Sequence, residues 1–165
     1  MRAGLALLLL LPALAACQQP AERGEPGGQE TAEAAPGGQS PVKALIPEPI
    51  SFTDIEQNQF FGAGCAFIPE AGEGLDPVLY TIGERSLLKL EGTMIVLQAS
   101  TGSAEFPYGT RDAYVGGGHS LSLTRGGGQG TLAGEESVSW PGSLTIRDPS
   151  GEEVYRSSGT LECGA

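Results

Sequence analysis

The first reactive side chain is the thiol of Cys17, which follows a segment with the three parts of an export signal. Arg2 supplies the positive start, Leu5 to Leu11 form an apolar run, and two alanines before the cysteine are small enough for a peptidase site. The stretch from Ala3 to Ala16 has 14 residues, whereas a helix needs about 20 to cross a bilayer. Residues 1 to 16 are therefore predicted to be a cleaved signal peptide.

The residues Leu14-Ala15-Ala16-Cys17 resemble the lipobox of bacterial lipoproteins. In that family the thiol is lipidated and the chain is then cut just before it, which implies that Cys17 is the lipid anchor. Gln18 follows, and in enteric bacteria Asp at this position retains a lipoprotein in the inner membrane. The resemblance therefore implies a periplasm-facing protein at the outer membrane. The alternative is an ordinary secretory signal in which Cys17 is incidental.

Lipidation of Cys17 would leave two further cysteines, Cys65 and Cys163. An exported chain occupies an oxidising compartment, where an even pair of cysteines is typical of a disulfide. The bond would close a loop of about 98 residues. By the loss of entropy in the unfolded chain, it would stabilise the folded protein by roughly 4 to 5 kcal/mol. Two free thiols are the alternative. The cysteine spacing does not resemble that of a zinc site.

Catalytic groups are scarce in this sequence, so we predict no enzyme, no metal site and no cofactor. His119 is the single histidine, and its neighbour Ser120 would point to the opposite face of a strand. No nucleophile elbow of the form Gly-x-Ser-x-Gly is present. The glycine runs 116 to 118 and 126 to 130 lack the Gly-Lys-Ser/Thr ending of a phosphate loop and are interpreted as flexible connections.

The composition excludes one class of partner. The chain carries 20 acidic residues and 9 Lys plus Arg, a formal charge of −11, and loss of Arg2 with the signal peptide would make it more negative. Such a charge argues against binding to nucleic acid or, through protein charge, to anionic lipid. The predicted link to a membrane is therefore the lipid at the N-terminus.

Residues 17 to 49 are predicted to be a disordered tether. The segment after the cysteine contains six prolines, several glycines and glutamates, and no aromatic residue. Such a composition cannot bury enough apolar surface to offset the entropy of ordering. Val42 to Ile46 is its one apolar cluster and marks the point where the fold could begin.

Residues 50 to 165 are predicted to form one all-β domain, a small antiparallel barrel or sandwich of about eight strands. Apart from one helical turn at Asp54 to Gln59, the pattern is of short β-prone runs separated by turn residues. Glu91-Gly92 favours a tight hairpin turn. The predicted strands are Cys65–Ile68, Val78–Ile82, Ser86–Leu90, Thr93–Ala99, Tyr114–Val115, Ser120–Thr124, Ser137–Trp140, Ser143–Arg147 and Val154–Cys163.

Two segments of this domain resemble the membrane-bound inhibitors of c-type lysozyme. Ala99-Ser100-Thr101-Gly102 stands where that family has Ser-Ala-Ser-Gly, and the segment 114 to 123, which contains His119, matches a second motif in spacing. The resemblance implies a small eight-stranded barrel with a disulfide, and a partner-binding loop at Ser100, Thr101 and His119. The lysine that the family uses to reach the enzyme falls on Gly117 here.

Taken together, the sequence predicts a lipid-anchored cell-envelope protein with a non-enzymatic binding or structural β-domain. Its expected partners are the membrane, through the lipid, and either another envelope protein or a lysozyme. Inhibition of c-type lysozyme is the alternative function. A hydrolase built from scattered acidic residues is a third hypothesis, because the pairing of two carboxylates is spatial and a sequence does not reveal it.

Overall fold

The computed structural model of the protein describes residues 44–71 and 76–165. The predicted signal peptide, Cys17 and the predicted tether up to residue 43 lie outside the described residues. The described part contains one α-helix, one 3-10 helix and nine strands. These are α1 (Phe52–Gln57), β1 (Gly64–Pro69), β2 (Leu79–Ile82), β3 (Arg85–Leu90), β4 (Thr93–Ala99), η1 (Pro107–Gly109), β5 (Ala113–Gly116), β6 (His119–Arg125), β7 (Thr131–Leu132), β8 (Ser137–Arg147) and β9 (Glu153–Gly164).

The strands form a closed antiparallel barrel. Each of β1 to β5 pairs with the next strand along the chain, and β6 pairs with β8. Strand β9 lies between β8 and β1, so eight strands close the cylinder, and β7 is an extra strand on the edge of β8. The predicted all-β class with about eight strands is confirmed, and the architecture is the barrel.

Strand β8 differs from the sequence prediction of two strands, Ser137–Trp140 and Ser143–Arg147. It runs without interruption through Pro141 and pairs with β9 along its whole length. On its other edge, β8 pairs with β7 up to Ser139 and with β6 from Gly142 onwards. The carbonyl of Pro141 accepts from Gly126 on that edge, so the missing N–H of the proline falls in the gap between the two neighbouring strands, where no ladder bond is lost.

Apolar side chains fill the barrel interior. Strand residues alternate between the two faces of a sheet, and Leu121 and Leu123 of β6 both point inwards, as their spacing predicted. Other fully buried side chains come from strands on every side of the barrel, namely Phe67, Leu79, Leu88, Leu97, Tyr114, Leu144, Ile146 and Leu161. The interior is thus a packed core.

Residues 45 to 50 lie across one end of the barrel. The backbone N–H of Leu45 donates to the carbonyl of Val154 at 3.0 Å, and that of Glu48 donates to Lys89 at 3.0 Å. Ile50 is buried, and its N–H donates to the carbonyl of Pro77 at 2.9 Å. Residues 44 to 49, which the sequence analysis places in the tether, therefore include backbone that is hydrogen-bonded to the barrel.

The connection between β4 and β5 lies across the other end. Phe106 packs against the core, and the buried hydroxyl of Thr110 lies 3.4 Å from the sulfur of Cys65. The hydroxyl of Tyr114 accepts from the N–H of Arg111 at 2.7 Å and donates to the carbonyl of Gly83 at 3.0 Å. These bonds satisfy a buried tyrosine and attach the connection to the β2–β3 turn.

Helix α1 packs on the outer wall, over β2, β3 and β4. Leu87 points outwards between two inward neighbours and forms a second apolar cluster with Ile50 and Phe60. Ser51 and Asp54 form a capping box at the start of the helix, and the Lys89 ammonium lies 3.2 Å from the Asp54 carboxylate. The helical turn predicted at Asp54 to Gln59 thus exists and begins two residues earlier.

The disulfide between Cys65 and Cys163 is present, as predicted. The two cysteines are direct cross-strand partners on β1 and β9. These strands come from opposite ends of the barrel sequence, 98 residues apart, and their pairing closes the cylinder.

We expect reduction of this disulfide to lower the free energy of unfolding by up to about 4 to 5 kcal/mol, because the unfolded chain regains the entropy of an open loop. Urea unfolding with and without reductant measures the effect, and the double variant Cys65→Ala, Cys163→Ala is the matched control that should no longer respond. Equal midpoints for the oxidised and reduced wild-type protein would contradict this expectation.

We also expect stability to fall as the pH drops below 3.8. Hydrogen bonds from the Ser51 hydroxyl and N–H, with the nearby Lys89, lower the pKa of Asp54, and the Ser150 hydroxyl lowers that of Asp148. A carboxyl whose pKa is lowered by folding stabilises the protein above its ordinary value of 3.8, and this contribution disappears as the pH falls through the lower folded value.

Urea midpoints between pH 6 and pH 2 test this dependence on pH. Asp54→Asn should make the profile shallower without flattening it, because Asp148 still contributes, and Glu56→Gln on the exposed side of α1 is the matched control. A wild-type profile that stays flat below pH 3.8 would show that these hydrogen bonds do not favour the ionised carboxyls.

Candidate functional site: a groove on the outer wall

Ser100 and Thr101 lie in the β4–β5 connection, at the end of the barrel that this connection covers. The backbone N–H of Ser100 donates to the carbonyl of Ala113 at 2.9 Å. The Ser100 side chain is half-buried and Thr101 is exposed. Thr101 is therefore the more accessible of the two residues that the resemblance implies as partner contacts.

His119 lies at the opposite end of β5. It begins β6 as the cross-strand partner of Gly116, and its Nδ1 lies 3.0 Å from the carbonyl oxygen of Gly117. Ser100, in contrast, bonds to Ala113 at the start of β5. Ser100 and Thr101 are adjacent in the chain. The structure separates His119 from them by the length of β5, about 10 Å at roughly 3.3 Å per strand residue.

Gly117 is the residue on which the resemblance to the lysozyme inhibitors would place their lysine. Its φ is +58°, and a Cβ at this position would lie 2.6 Å from Cγ2 of Ile95. The left-handed backbone and the close side chain both favour glycine here. The absence of the lysine is thus consistent with the local packing of this barrel.

Within residues 44–71 and 76–165, no group of three or more His, Cys, Asp or Glu side chains is placed to hold a metal ion. The same part of the chain contains no helix long and apolar enough to cross a membrane.

A groove with a volume of about 540 Å³ lies on the outer wall. We call it the β1 groove, because its floor is the outward face of β1 at Gly64, Ala66 and Ile68. One side is formed by α1 and the residues that follow it, and the other by β9 and the start of β8. The side chains that shape it most are Ile55, Phe60, Phe61, Tyr80, Ile82 and Glu162.

The groove exists because the outward residues of β1 and β9 are small at its centre. Ala66 is the cross-strand partner of both Tyr80 and Glu162, so a methyl group lies between two long side chains that stand about 10 Å apart across two strand spacings. Gly64 and Gly164 form the neighbouring pair of the same ladder. A Cβ on Gly64 would collide with the carbonyl oxygen of Thr81, so close strand packing requires the glycine.

The electrostatics of the groove are acidic. Glu162 carries the one charged side chain among the lining residues. Burial, together with the charges of Asp76 and Glu162, raises the pKa of the Tyr80 hydroxyl above its usual value. Tyr80 therefore stays neutral at physiological pH and presents an apolar ring with a hydrogen-bonding tip, across Ala66 from the Glu162 carboxylate.

Sequence reasoning did not find the β1 groove. Its lining comes from α1, β1, β2, β8 and β9, which become neighbours only when the barrel closes. One local signal existed. If Cys65, Phe67 and Cys163 face inwards, the alternating residues face outwards. Two of these, Gly64 and Ala66, are small, and a third, Glu162, is acidic. Phe60-Phe61 before Gly62 was a second signal, since it puts an exposed aromatic next to a buried one.

Comparison with known protein-family models, with curated proteins and with solved structures finds no match to this chain.

Proposed function

We propose that this chain is an exported, lipid-anchored protein of the bacterial cell envelope whose barrel binds another envelope component and performs no chemistry of its own. The observation that carries the proposal is the pairing of Cys65 with Cys163. A structural disulfide suits an oxidising compartment, and it leaves Cys17 as the third cysteine, directly behind an export-like segment.

The packed interior supports a role in binding at the surface. Apolar side chains occupy the barrel axis, and the segments 45–50 and 100–112 lie across its two ends. A ligand inside the barrel would have to displace this core, at a cost of several kcal/mol per large side chain. The outer wall is therefore the surface that we propose for a partner, and the β1 groove is the concave part of it.

Cys17→Ala tests the anchor. We expect the full-length protein, expressed in a Gram-negative host, to incorporate labelled palmitate and to partition into the detergent phase, because a lipid adds apolar area that enters the detergent micelle. The variant should lose both properties. The double variant Cys65→Ala, Cys163→Ala is the matched control and should keep the label.

Two results of this experiment would contradict the anchor. One is equal palmitate incorporation by the wild type and Cys17→Ala, and the other is a wild-type chain that is cut after Ala16 but carries no lipid. Density-gradient separation of the two membranes then tests the proposed outer-membrane location.

Inhibition of c-type lysozyme remains a second candidate because the fold agrees with what the resemblance implies. The chain forms a closed eight-stranded barrel with one disulfide, and Thr101 is exposed on a connection between strands. The negative charge of the chain would attract a basic enzyme over distance. The glycine at position 117 and the separation of His119 from Ser100 weigh against it.

This alternative predicts stoichiometric inhibition of a c-type lysozyme by the full-length protein in a cell-wall hydrolysis assay. Thr101→Arg should abolish inhibition, because it would place a bulky cation against a basic enzyme at the proposed contact. His119→Ala, at the other end of β5, is the comparison variant. Unchanged inhibition by this variant would indicate contact through the β4–β5 connection alone, and weaker inhibition would indicate contact through both ends of β5. Unchanged lysozyme activity at tens of micromolar protein would eliminate this candidate.

A further inference from the structure

We infer that the β1 groove binds an extended polypeptide segment of a partner protein, one that carries an apolar side chain next to a lysine or arginine. The inference rests on the proposed function for the partner's location in the envelope, and it adds the surface and the chemistry of recognition.

The apolar part of the recognition comes from the side of the groove formed by α1 and the residues after it. Phe60 is buried and supports this side, whereas the Phe61 ring is 58% exposed at its edge. Ile55 and Ile82 complete an apolar surface beside the floor. An exposed phenylalanine next to a concave apolar surface is a typical anchor for a partner side chain.

The cationic part comes from Glu162. None of the four ion pairs found among the described residues includes this carboxylate; they join Lys89 to Asp54, Arg111 to Glu84, and Arg147 and Arg156 to Glu153. Of the two cations on β3, Arg85 stacks over the Phe60 ring at 5.0 Å and Lys89 is the one paired with Asp54. A partner cation would supply the charge that Glu162 lacks, in a site where apolar walls strengthen the attraction.

The dimensions favour a polypeptide over a small amine. The floor runs from Gly64 to Ile68, about 13 Å at roughly 3.3 Å per residue, which is the length of about four extended residues. The volume of about 540 Å³ holds several side chains. The groove lies on the face of the sheet, where β1 is already paired on both edges, so recognition must come from side chains.

A second copy of this chain fits the groove poorly. In a twofold dimer the same patch meets itself, so both copies of Glu162 would lie in one largely apolar interface. Asp76, whose charge also acts on Tyr80, would add to the repulsion. Like charges in such an interface are unfavourable, and a cationic partner is the complement.

The test uses full-length protein and two fluorescein-labelled hexapeptides. Both peptides contain a phenylalanine and a leucine. At two further positions one peptide has lysine and the other has glutamate. Fluorescence polarisation gives the two affinities. We expect the lysine peptide to bind about tenfold more tightly, and Glu162→Gln to remove that preference, because one charged hydrogen bond is lost.

Two further variants separate the groove from general surface charge. Glu152→Gln removes an exposed acid in the β8–β9 turn and should leave both affinities unchanged. Ala66→Leu fills the floor and should weaken the lysine peptide at least tenfold, with a urea midpoint equal to that of the wild type as evidence of intact folding.

Three results of the peptide titrations would overturn the inference. They are equal affinity for the two peptides, wild-type affinity in Glu162→Gln, and no binding of the lysine peptide at millimolar concentration. A fourth result, a dimer in sedimentation analysis that Ala66→Leu dissociates, would also overturn it by making the groove a self-interface. Repeating the peptide titration with Cys17→Ala protein keeps this result independent of the anchor, so that either proposal can fail alone.

Discussion

The pairing of β1 with β9 is the interaction on which the rest of the structure depends. It joins strands 98 residues apart, and the Cys65–Cys163 bond lies within the paired segment. Without this pairing the other strands would form an open sheet with two unpaired edges, which is a liability for a lone antiparallel sheet. Closure also determines the floor of the β1 groove, because Ala66 acquires Glu162 as a neighbour only through the β1–β9 ladder.

Closure of a barrel of this size fixes where function can lie. With eight strands the interior is just wide enough for side chains to fill, and here Tyr114, Phe67 and the buried leucines fill it. The two ends are covered by segments of the chain itself, through backbone bonds at Leu45 and the contact of Thr110 with the disulfide. The outer wall is what remains accessible, and α1, held by Ser51, Asp54 and Lys89, gives that wall its concavity.

Local features were predictable from the sequence, and features that depend on distant pairing were not. The Glu91-Gly92 hairpin and the strand Thr93–Ala99 appear as predicted, because both depend on alternation and turn chemistry over a few residues. The cysteine pairing followed from counting thiols. The continuity of β8 through Pro141 and the short strand β7 depend on which strand lies on each edge, and the groove depends on five elements at once. The residues proposed for lysozyme contact were predicted from motif spacing, which does not reveal that β5 separates them.

The small residues and the acid of the β1 groove have different explanations. Gly64 is required by the fold, since a side chain there would collide with the Thr81 carbonyl, and a Cβ on Gly164 would lie 2.9 Å from the carbonyl oxygen of Glu136. A gap at these positions is therefore a consequence of close strand packing and does not by itself indicate a ligand. Glu162 has no such structural reason among the described contacts, and a neutral polar residue would meet the needs of an outward strand position. Among the described residues Glu162 has no ion-pair partner, and it lies across Ala66 from Tyr80 in a groove that the exposed Phe61 also lines. This is the feature that packing leaves unexplained, and a cationic, apolar partner segment accounts for all three residues.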